Sequence, residues 1–254
     1  MNSSKTAENH VNSAQIDGFE ATRQAILPKA LEMAAFDGWT ATMLDAAARE
    51  AGFSQNLRAT VRTAFPAGVI DLIAYWSGLC DEEMRAAMAA PEFAGLKIRE
   101  KVTFAVRARI DVLRPHKEAA RRAAACLALP PHAARGAKLA WATSDAIWRG
   151  LDDKSTDFNF YSKRAILTGV WTSTFARWLA DDSEDEAATH AFLDARIENV
   201  MQIEKLKAKL RKTGFDPSAP IAFLARLRYR PARESAQSNP AREGAQADMP
   251  REGA

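Results

Sequence analysis

The residue types that most often catalyse reactions or bind metals are few in this chain and far apart. No histidine lies within four residues of another, and the four are His10, His116, His132 and His190. Neither Cys80 nor Cys126 has a second Cys or a His at the spacing of a zinc site. There is no glycine-rich phosphate loop and no Glu-x-x-His pair of the kind that di-iron bundles use. The sequence therefore predicts no catalytic residue, no metal, no cofactor and no enzymatic activity.

Four tryptophans in the second half of the chain are spaced so that they form pairs. Trp141 and Trp148 are seven residues apart, as are Trp171 and Trp178. Seven residues make about two helical turns, so each pair shares one helix face. Two interpretations stay open: these side chains pack in an ordinary core, or they line an apolar cavity suited to a long isoprenoid chain.

The elements that must position these residues are predicted to be helices. Apolar residues recur with helical periodicity, no segment alternates as a strand would, and prolines or acidic turns separate the periodic stretches. The segment from Ser162 to Ala180 is apolar around most of its circumference, as expected of a helix in the middle of a domain or beside a cavity. The predicted helices of this half are 96–114, 117–128, 132–151, 160–180 and 187–211. The fold class is all-α.

The first half of the chain has the pattern of a helix-turn-helix bundle. A helix from Arg23 to Asp37 ends at Gly38, a short helix follows Thr40, and a third helix is broken at Pro66. The segments ALEMAAFDGWTATMLDAAAREAGFS and TAFPAGVIDLI resemble the N-terminal half of TetR-family repressors. The candidate recognition helix, however, has only two basic residues, Arg58 and Arg62. Since DNA affinity depends on neutralising several phosphates, we expect no specific nucleic-acid binding. A TetR-type, ligand-responsive transcriptional repressor is the alternative function.

The charge of the chain is concentrated near its C-terminal end. The formal net charge is +3, yet the segment from Lys205 to Arg230 alone holds eight basic residues and one acid, a net charge of +7. Residues 213–230 are both basic and amphipathic, which is typical of reversible contact with an anionic membrane surface. The membrane-binding residues are predicted to be Ile221, Phe223, Leu224, Arg226, Leu227, Arg228 and Arg230.

A cluster of aromatic residues stands at the start of the 160–180 helix. Phe158, Phe160 and Tyr161 occupy three of four consecutive positions, so one of them should point outwards. An exposed aromatic side chain beside Lys163 and Arg164 favours a contact surface for a partner. Local packing on the preceding helix is the alternative interpretation.

Several strings together resemble the ubiquinone biosynthesis accessory family often called coenzyme Q biosynthesis protein nine. They are RPHKEAARRAAACLALPPH, DAIWRG, STDFNFYSKRAIL and FLDARIENVM, and the resemblance covers roughly residues 23–205. It implies a TetR-like fold, a homodimer and an isoprenoid lipid or quinone precursor in the C-terminal domain. It also implies that the protein assists the di-iron hydroxylase that acts on demethoxyubiquinone.

The resemblance assigns functions to particular residues of this chain. The family's exposed partner-contact patch falls on Asp157, Phe160, Tyr161 and Arg164, and the family usually has Trp where this chain has Phe160. We expect the lipid on the apolar faces of the last three helices, at Leu139, Trp148, Ile166, Leu167, Val170, Trp171, Phe175, Leu193, Ile197, Val200 and Met201.

The domain organisation follows from these assignments. We predict disorder over 1–20, a helix-turn-helix-like domain over 21–90, a helical lipid-binding domain over 91–212, a membrane-contact segment over 213–230 and a disordered tail over 231–254. With neither a signal peptide nor a transit peptide in the sequence, we expect a bacterial protein in the cytoplasm, peripheral on the inner membrane.

Overall fold

The computed structural model describes the backbone of residues 3–153 and 158–212, and the side chains of residues 18–153 and 160–202. Within these ranges the chain is built from α-helices and two short 3-10 helices, without a strand, which confirms the all-α class. The chain divides into two compact units, Met1–Ile203 and Glu204–Ala254. The packing described below is that of the first unit.

The helix-turn-helix pattern of the N-terminal part is present in the structure. Its helices are α1 (Ser3–Asp37), α2 (Ala41–Glu50), α3 (Leu57–Ala64) and α4 (Val69–Met88). The Thr40 hydroxyl accepts a hydrogen bond from the Met43 N–H at 3.1 Å, so it caps α2 as its residue type suggests. Gly38 and Gly52 follow α1 and α2 with φ values of 72° and 94°, a region that favours glycine.

Helix α1 begins at Ser3, whereas the sequence predicts disorder up to residue 20 and a helix from Arg23. Its C-terminal half packs through Ile26, Ala30 and Ala34, which are fully buried. Once these turns are held by packing, each further residue at the N-terminal end adds one hydrogen bond without a new nucleation step. A helix can therefore extend through a polar segment that has no apolar face.

The second half of the chain follows the predicted helices closely. They are α5 (Pro91–Ala94), α6 (Ile98–Leu113), α7 (Lys117–Ala128), α8 (Ala133–Gly150), α9 (Phe158–Leu179) and α10 (Ala187–Lys212). Pro115 lies in a 3-10 helix, Arg114–His116, that separates α6 from α7. Only the single-turn helix α5 has no counterpart in the prediction, since four residues show no periodicity.

The N-terminal helices pack directly against the helices of the second half. Helix α1 contacts α2 and α7, α4 contacts α6 and α8, and α8 contacts α9. The Trp39 indole stacks on Trp76 of α4 at 5.8 Å, and its N–H donates to the Ala119 carbonyl of α7 at 2.9 Å. The turn between α1 and α2 is thus attached to both α4 and α7 by one buried side chain.

No single helix in the described part of the chain is long and apolar enough to cross a membrane. Helices α3 and α4 reach that length and composition only as a pair, with a bend of 50° between them.

Candidate functional site

A cavity of about 500 Å³ lies between α4, α6, α7, α8 and α9. This volume is in the range of small-molecule pockets in proteins. Its walls are mostly apolar, and the large side chains among them are Ile73, Trp76, Leu113, Leu127, Leu139, Trp171 and Phe175. An apolar space of this size suits a ligand that is itself apolar.

Small residues on α7 and α8 keep this space open. The lining residues of these two helices include a series of alanines, namely Ala120, Ala123, Ala124, Ala128, Ala133, Ala137 and Ala140. Gly136 allows the two helices to approach each other, because a Cβ at this position would lie 3.2 Å from the Cβ of Leu127. Where larger residues would fill the interior of a helical bundle, the alanine faces leave a gap.

The cavity has a buried end and an exposed end. Ile73, Trp76 and Leu113 at one end are buried, whereas Ala128, Ala137 and Thr172 are exposed. A ligand can therefore enter between the exposed residues of α7, α8 and α9 and extend towards α4 and α6.

A buried polar cluster forms part of the wall at the inner end. The Arg109 side chain is 3% exposed, and its Nε donates to Asp81 Oδ1 at 2.7 Å. Arg109 Nη2 donates to the Ser77 carbonyl at 3.1 Å and the Ser77 hydroxyl at 3.2 Å. The Thr143 hydroxyl donates to the same Asp81 oxygen at 2.9 Å. Three helices, α4, α6 and α8, thus meet at one ion pair.

Burial changes the pKa values of Asp81 in this cluster and of its neighbour Cys80. Burial raises the pKa of the Asp81 carboxyl above its ordinary value, while the charge of Arg109 and hydrogen bonds from Arg109 and Thr143 act in the opposite direction. Burial also raises the pKa of the adjacent Cys80 thiol to about 11. Cys80 is therefore a protonated thiol at neutral pH, which is not a reactive nucleophile.

The sequence of this chain is similar to that of known proteins. A family model described as COQ9 matches residues 133–204, which span α8, α9 and the first part of α10. The Xenopus laevis protein named ubiquinone biosynthesis protein COQ9-B, mitochondrial, is 30% identical over 209 residues, covering 80% of this chain and 70% of the relative. This chain belongs to the COQ9 family.

Other COQ9 relatives are longer than this chain. The Rattus norvegicus protein is 29% identical over 202 residues, and the Drosophila melanogaster protein is 28% identical over 203 residues. Each match covers more than three quarters of this chain, but only 64% of the rat protein and 60% of the fly protein. Both are named mitochondrial ubiquinone biosynthesis proteins.

The fold is also that of a solved TetR transcriptional regulator from Nitrosomonas europaea. That structure superposes with a TM-score of 0.57 at 21% sequence identity, covering 69% of this chain and 95% of the other. The TetR-like architecture predicted from the N-terminal pattern is therefore confirmed for a COQ9-family chain.

The structure distributes the predicted lipid-binding residues over four environments. Leu139, Trp171 and Phe175 line the cavity. Ile166, Val170 and Val200 line a second groove of about 420 Å³ that α9 and α10 form. Of the others, Leu167, Leu193 and Ile197 are buried in the core, Trp148 packs against it, and Met201 is exposed.

The prediction did not include the side of the cavity formed by α4, α6 and α7. Trp76 comes from a helix that was predicted to belong to the helix-turn-helix-like domain. Arg109 comes from a helix of the predicted lipid-binding domain in which no lipid-binding residue was named, and the α7 wall consists mainly of alanines. One signal was available, because α7 has alanine at nearly every inward position where a packed helix would have Leu or Ile.

The predicted partner patch is partly on the surface. Tyr161 is 63% exposed, and its ring meets the half-buried Phe160 ring edge-on at 5.1 Å. Asp157 lies outside the described residues. The exposed aromatic of this cluster is therefore Tyr161, supported from beneath by Phe160.

The expectation that Arg164 is exposed is wrong, because its side chain is 2% exposed. Its Nε donates to Asp145 Oδ1 at 2.6 Å, and its Nη1 donates to Asp153 Oδ2 at 3.3 Å. The guanidinium also lies 3.5 Å from the centre of the Phe160 ring. Two carboxylates at the end of α8 draw this arginine inward, where it holds Phe160 and the first turns of α9 in place.

The one Glu–His pair at helical spacing in the sequence is formed by Glu186, in the turn before α10, and His190, near the start of α10. Glu186 accepts hydrogen bonds from the Trp178 indole at 2.6 Å and from Arg114 at 3.0 Å, so it has a structural role. Among the described residues, no group of three His, Cys, Asp or Glu could hold a metal ion.

Proposed function

We propose that this chain takes part in ubiquinone biosynthesis by binding an isoprenoid quinone precursor and presenting it to the demethoxyubiquinone hydroxylase at a membrane surface. The observation that carries the proposal is the apolar cavity of about 500 Å³ between α4 and α6–α9. Its place in a COQ9-family chain supports a lipid of the ubiquinone pathway as the ligand.

The physical argument rests on the partition of an isoprenoid between water, bilayer and protein. Each buried CH₂ group is favourable by about 0.8 kcal/mol relative to water, so a long chain needs an equally apolar container outside the bilayer. The alanine faces of α7 and α8 and the rings of Trp171 and Phe175 provide such a surface. A carrier of this type can make the polar ring of the lipid accessible to an enzyme.

We propose an accessory role without a catalytic step. The polar side chains among the described lining residues of the cavity are Ser77, Arg109, Thr143 and Thr172. The Arg109 guanidinium offers hydrogen-bond donors and no acceptor, and the carboxylate beside the Thr143 hydroxyl, Asp81, is already paired with Arg109. These groups can orient a ligand, and the hydroxylase would carry out the chemistry.

Helix α9 connects the cavity with the proposed docking surface. Tyr161 is exposed near the N-terminal end of α9, and Trp171 lines the cavity ten residues later on the same helix. Ten residues correspond to about 15 Å along a helix. A partner that binds Tyr161 would therefore sit close to the lipid, which supports delivery from one to the other.

The predicted membrane-contact residues, Ile221 to Arg230, lie outside the described residues. Their basic and apolar composition supports reversible attachment to anionic lipids, by about 1 kcal/mol for each cation near the surface. A homodimer and a peripheral location on the bacterial inner membrane are further parts of this proposal.

The proposal can be tested by filling the cavity with a larger side chain. Ala140 lines the cavity on α8, whereas Ala142 is exposed on the same helix, so Ala140→Phe and Ala142→Phe form a matched pair. We expect lipid to co-purify with the wild-type chain and with Ala142→Phe, and its amount to fall at least tenfold in Ala140→Phe. Native mass spectrometry and lipid extraction measure this directly.

The same experiment can contradict either the carrier function or the assignment of the lipid to this cavity. If wild-type protein purified from a ubiquinone-producing cell neither carries an isoprenoid nor takes one up from vesicles, the carrier function is wrong. Equal lipid content in both variants, with unchanged melting temperatures, would place any bound lipid outside this cavity.

A further inference from the structure

The turn between α7 and α8, residues 129–132, presents apolar side chains to solvent beside the exposed end of the cavity. The Leu129 side chain is 53% exposed, and the two prolines that follow it are exposed as well. On either side of the turn, Ala128 and Ala133 are exposed and line the cavity. The α7–α8 turn and the mouth of the cavity therefore form one apolar surface.

The exposure of Leu129 is built into the backbone of the turn. A residue that precedes proline is restricted to the extended region, and Leu129 has a φ of −64° and a ψ of 141°. Its carbonyl accepts hydrogen bonds from the His132 N–H at 2.8 Å and the Ala133 N–H at 3.0 Å, which close the turn. Pro130 thus ends α7 and fixes an apolar residue on the surface.

The same part of the chain is free of acidic residues. Residues 119–144 include four Lys or Arg but no Asp or Glu, although the whole chain has 32 acids among 254 residues. Two of these cations share Glu118, and a third pairs with Asp71 of α4. The fourth, Lys138, is exposed and forms no ion pair within the described part of the chain. The surface around the mouth therefore keeps a net positive charge.

We propose that the α7–α8 turn and the exposed alanines beside it enter the headgroup region of an anionic membrane, so that the cavity opens onto the bilayer. Shallow apolar burial combined with positive charge is the pattern of proteins that bind a membrane reversibly. The inference rests on the proposed function, because it names the surface through which the isoprenoid would enter. This surface is separate from the predicted membrane-contact segment, residues 213–230.

A membrane fits this surface better than a protein partner does. Protein interfaces are centred on aromatic and arginine side chains in well-packed pockets, whereas the exposed apolar residues here are one leucine, two prolines and several alanines. The isoprenoid also comes from the bilayer. If the mouth faced water, the chain would have to cross water on its way to the cavity, and every exposed CH₂ group makes that step less favourable.

This placement also orients the lipid. The tail would enter first and extend towards Ile73, Trp76 and Leu113 at the buried end of the cavity. The polar ring would follow and remain at the mouth, at the level of the headgroups. There it is accessible to an enzyme that works at the membrane surface, as the proposed function requires.

A fluorescent label on the turn can report whether it enters the bilayer. Leu129→Cys is combined with Cys126→Ser in the full-length chain and labelled with nitrobenzoxadiazole, which brightens in an apolar environment. Cys80 is buried, and burial raises its pKa to about 11, so it does not react with the label. Ile98→Cys in the same background is the matched control, because Ile98 is an aliphatic residue of equal size that is 56% exposed on α6.

With vesicles of phosphatidylcholine and phosphatidylglycerol, the label at position 129 should brighten at least about threefold and be quenched by brominated lipid. The label at position 98 should do neither, although the protein is bound to the same vesicles. This contrast separates the turn from residues 213–230, which are expected to attach the chain by themselves. A label at position 129 that stays in water on vesicle-bound protein, or that brightens only when the hydroxylase is added, overturns the inference.

The apolar part of the surface can also be tested through lipid uptake. Leu129→Ser should slow the transfer of geranylgeraniol from these vesicles to the protein about tenfold, whereas Ile98→Ser should leave the rate unchanged. Leu129 is not among the described residues that line the cavity, so both variants should take up the wild-type amount when they are loaded from detergent. Both are surface changes, and unchanged melting temperatures would confirm that the fold is intact.

The charged part of the surface has its own matched pair. Lys138→Gln should weaken binding to these vesicles about fivefold, as the loss of one cation near an anionic surface predicts. Arg62→Gln removes an exposed cation from α3 and changes the net charge equally, but it should weaken binding less than about twofold. Equal effects of the two variants would contradict the placement of the mouth at the membrane.

The possible results separate this inference from the carrier function. If Leu129→Ser takes up the isoprenoid at the wild-type rate, the mouth does not open onto the bilayer, and the inference is overturned while the carrier function stands. If the wild-type chain takes up no isoprenoid but the label at position 129 enters the bilayer, the carrier function is contradicted and the membrane surface is supported.

Discussion

The helix-turn-helix region and the cavity region of this chain differ in the burial of their arginine side chains. Helix α3 has eight residues, of which only Ala64 is buried, and both of its arginines, Arg58 and Arg62, are exposed. In the cavity region, Arg109 and Arg164 are buried and each is held by carboxylates. The TetR-like fold is shared with a transcriptional regulator, but the two buried arginines described here belong to α6 and α9 and not to the candidate recognition helix.

A cation of α1 that contacts α3 has a structural role. Arg23 of α1 donates from Nε to the Ala64 carbonyl at 2.8 Å and lies 4.2 Å from the centre of the Phe19 ring. It therefore fastens the C-terminal end of α3 to α1. Together with the Trp39 contacts to α4 and α7, this indicates that the helix-turn-helix region supports two walls of the cavity.

The largest effect is expected from a buried arginine of the cavity region. Arg164→Ala should lower the free energy of unfolding by about 3 kcal/mol, because it removes a buried guanidinium that contacts both Asp145 and Asp153. Urea denaturation measures the change.

Arg149→Ala is the matched control for this variant. Arg149 also binds Asp145, at 2.8 Å, but is 74% exposed, so its loss should cost under about 0.5 kcal/mol. If the two variants lower the free energy of unfolding equally, the burial of Arg164 adds nothing to stability, and the contrast between buried and exposed arginines is wrong.

The next largest effect concerns the exposed aromatic at the start of α9. Tyr161→Ala should weaken binding to the hydroxylase roughly thirtyfold, since the loss of an aromatic anchor commonly costs about 2 kcal/mol. Its melting temperature should change little because Tyr161 is exposed. Phe36→Ala, which removes an exposed aromatic from α1, should change neither quantity.

Surface plasmon resonance with the purified hydroxylase separates the two positions. A Tyr161→Ala variant that melts early but binds normally once folded would assign Tyr161 to the fold. Weaker binding by Phe36→Ala would move the docking surface to the helix-turn-helix region.

A smaller, pH-dependent effect is expected at the turn before α10. Hydrogen bonds from the hydroxyls of Ser183 and Thr189 and from their backbone N–H groups hold the pKa of Asp181 far below its ordinary value. The ionised form is thus favoured in the folded state, so its stabilisation is present above the unfolded pKa of about 3.9 and is lost as the pH falls below it.

Asp181→Asn should therefore lower the melting temperature by a few degrees at pH 7, and the difference from wild type should shrink below about pH 4. Asp182→Asn, a change in an exposed neighbour, should have little effect at either pH. A deficit of Asp181→Asn that stays constant from pH 7 to pH 3 would rule out the carboxylate as its cause.

The smallest effect is expected on DNA. Arg58→Ala and Arg62→Ala should each change duplex affinity by less than about threefold, because a helix with two exposed cations supports only weak, salt-sensitive binding to any sequence. Electrophoretic mobility shifts at low and physiological salt provide the measurement. A nanomolar, sequence-specific footprint at physiological salt would favour a transcriptional repressor and would contradict the contrast between the helix-turn-helix region and the cavity region.

Local structure was largely determined by the sequence, because its causes lie within a few residues. Gly38, Gly52 and Pro66 ended helices where they were expected to, and Thr40 capped α2. The apolar periodicity of α6 to α10 predicted their bounds to within a few residues. The family strings in residues 133–204 also identified the chain, since they are a property of sequence alone.

Only the tertiary structure decided where the cavity lies and which arginines are buried. Arginine usually remains solvated, and Arg164 beside an exposed aromatic gave no local sign of burial. Its partner Asp145 is 19 residues away, and Asp81 is 28 residues from Arg109. The cavity likewise depends on the meeting of five helices, and the alanine-rich face of α7 does not by itself show where a gap will lie. A gap between helices is a property of how their faces fit together, and that fit is specified by contacts between residues distant in the sequence.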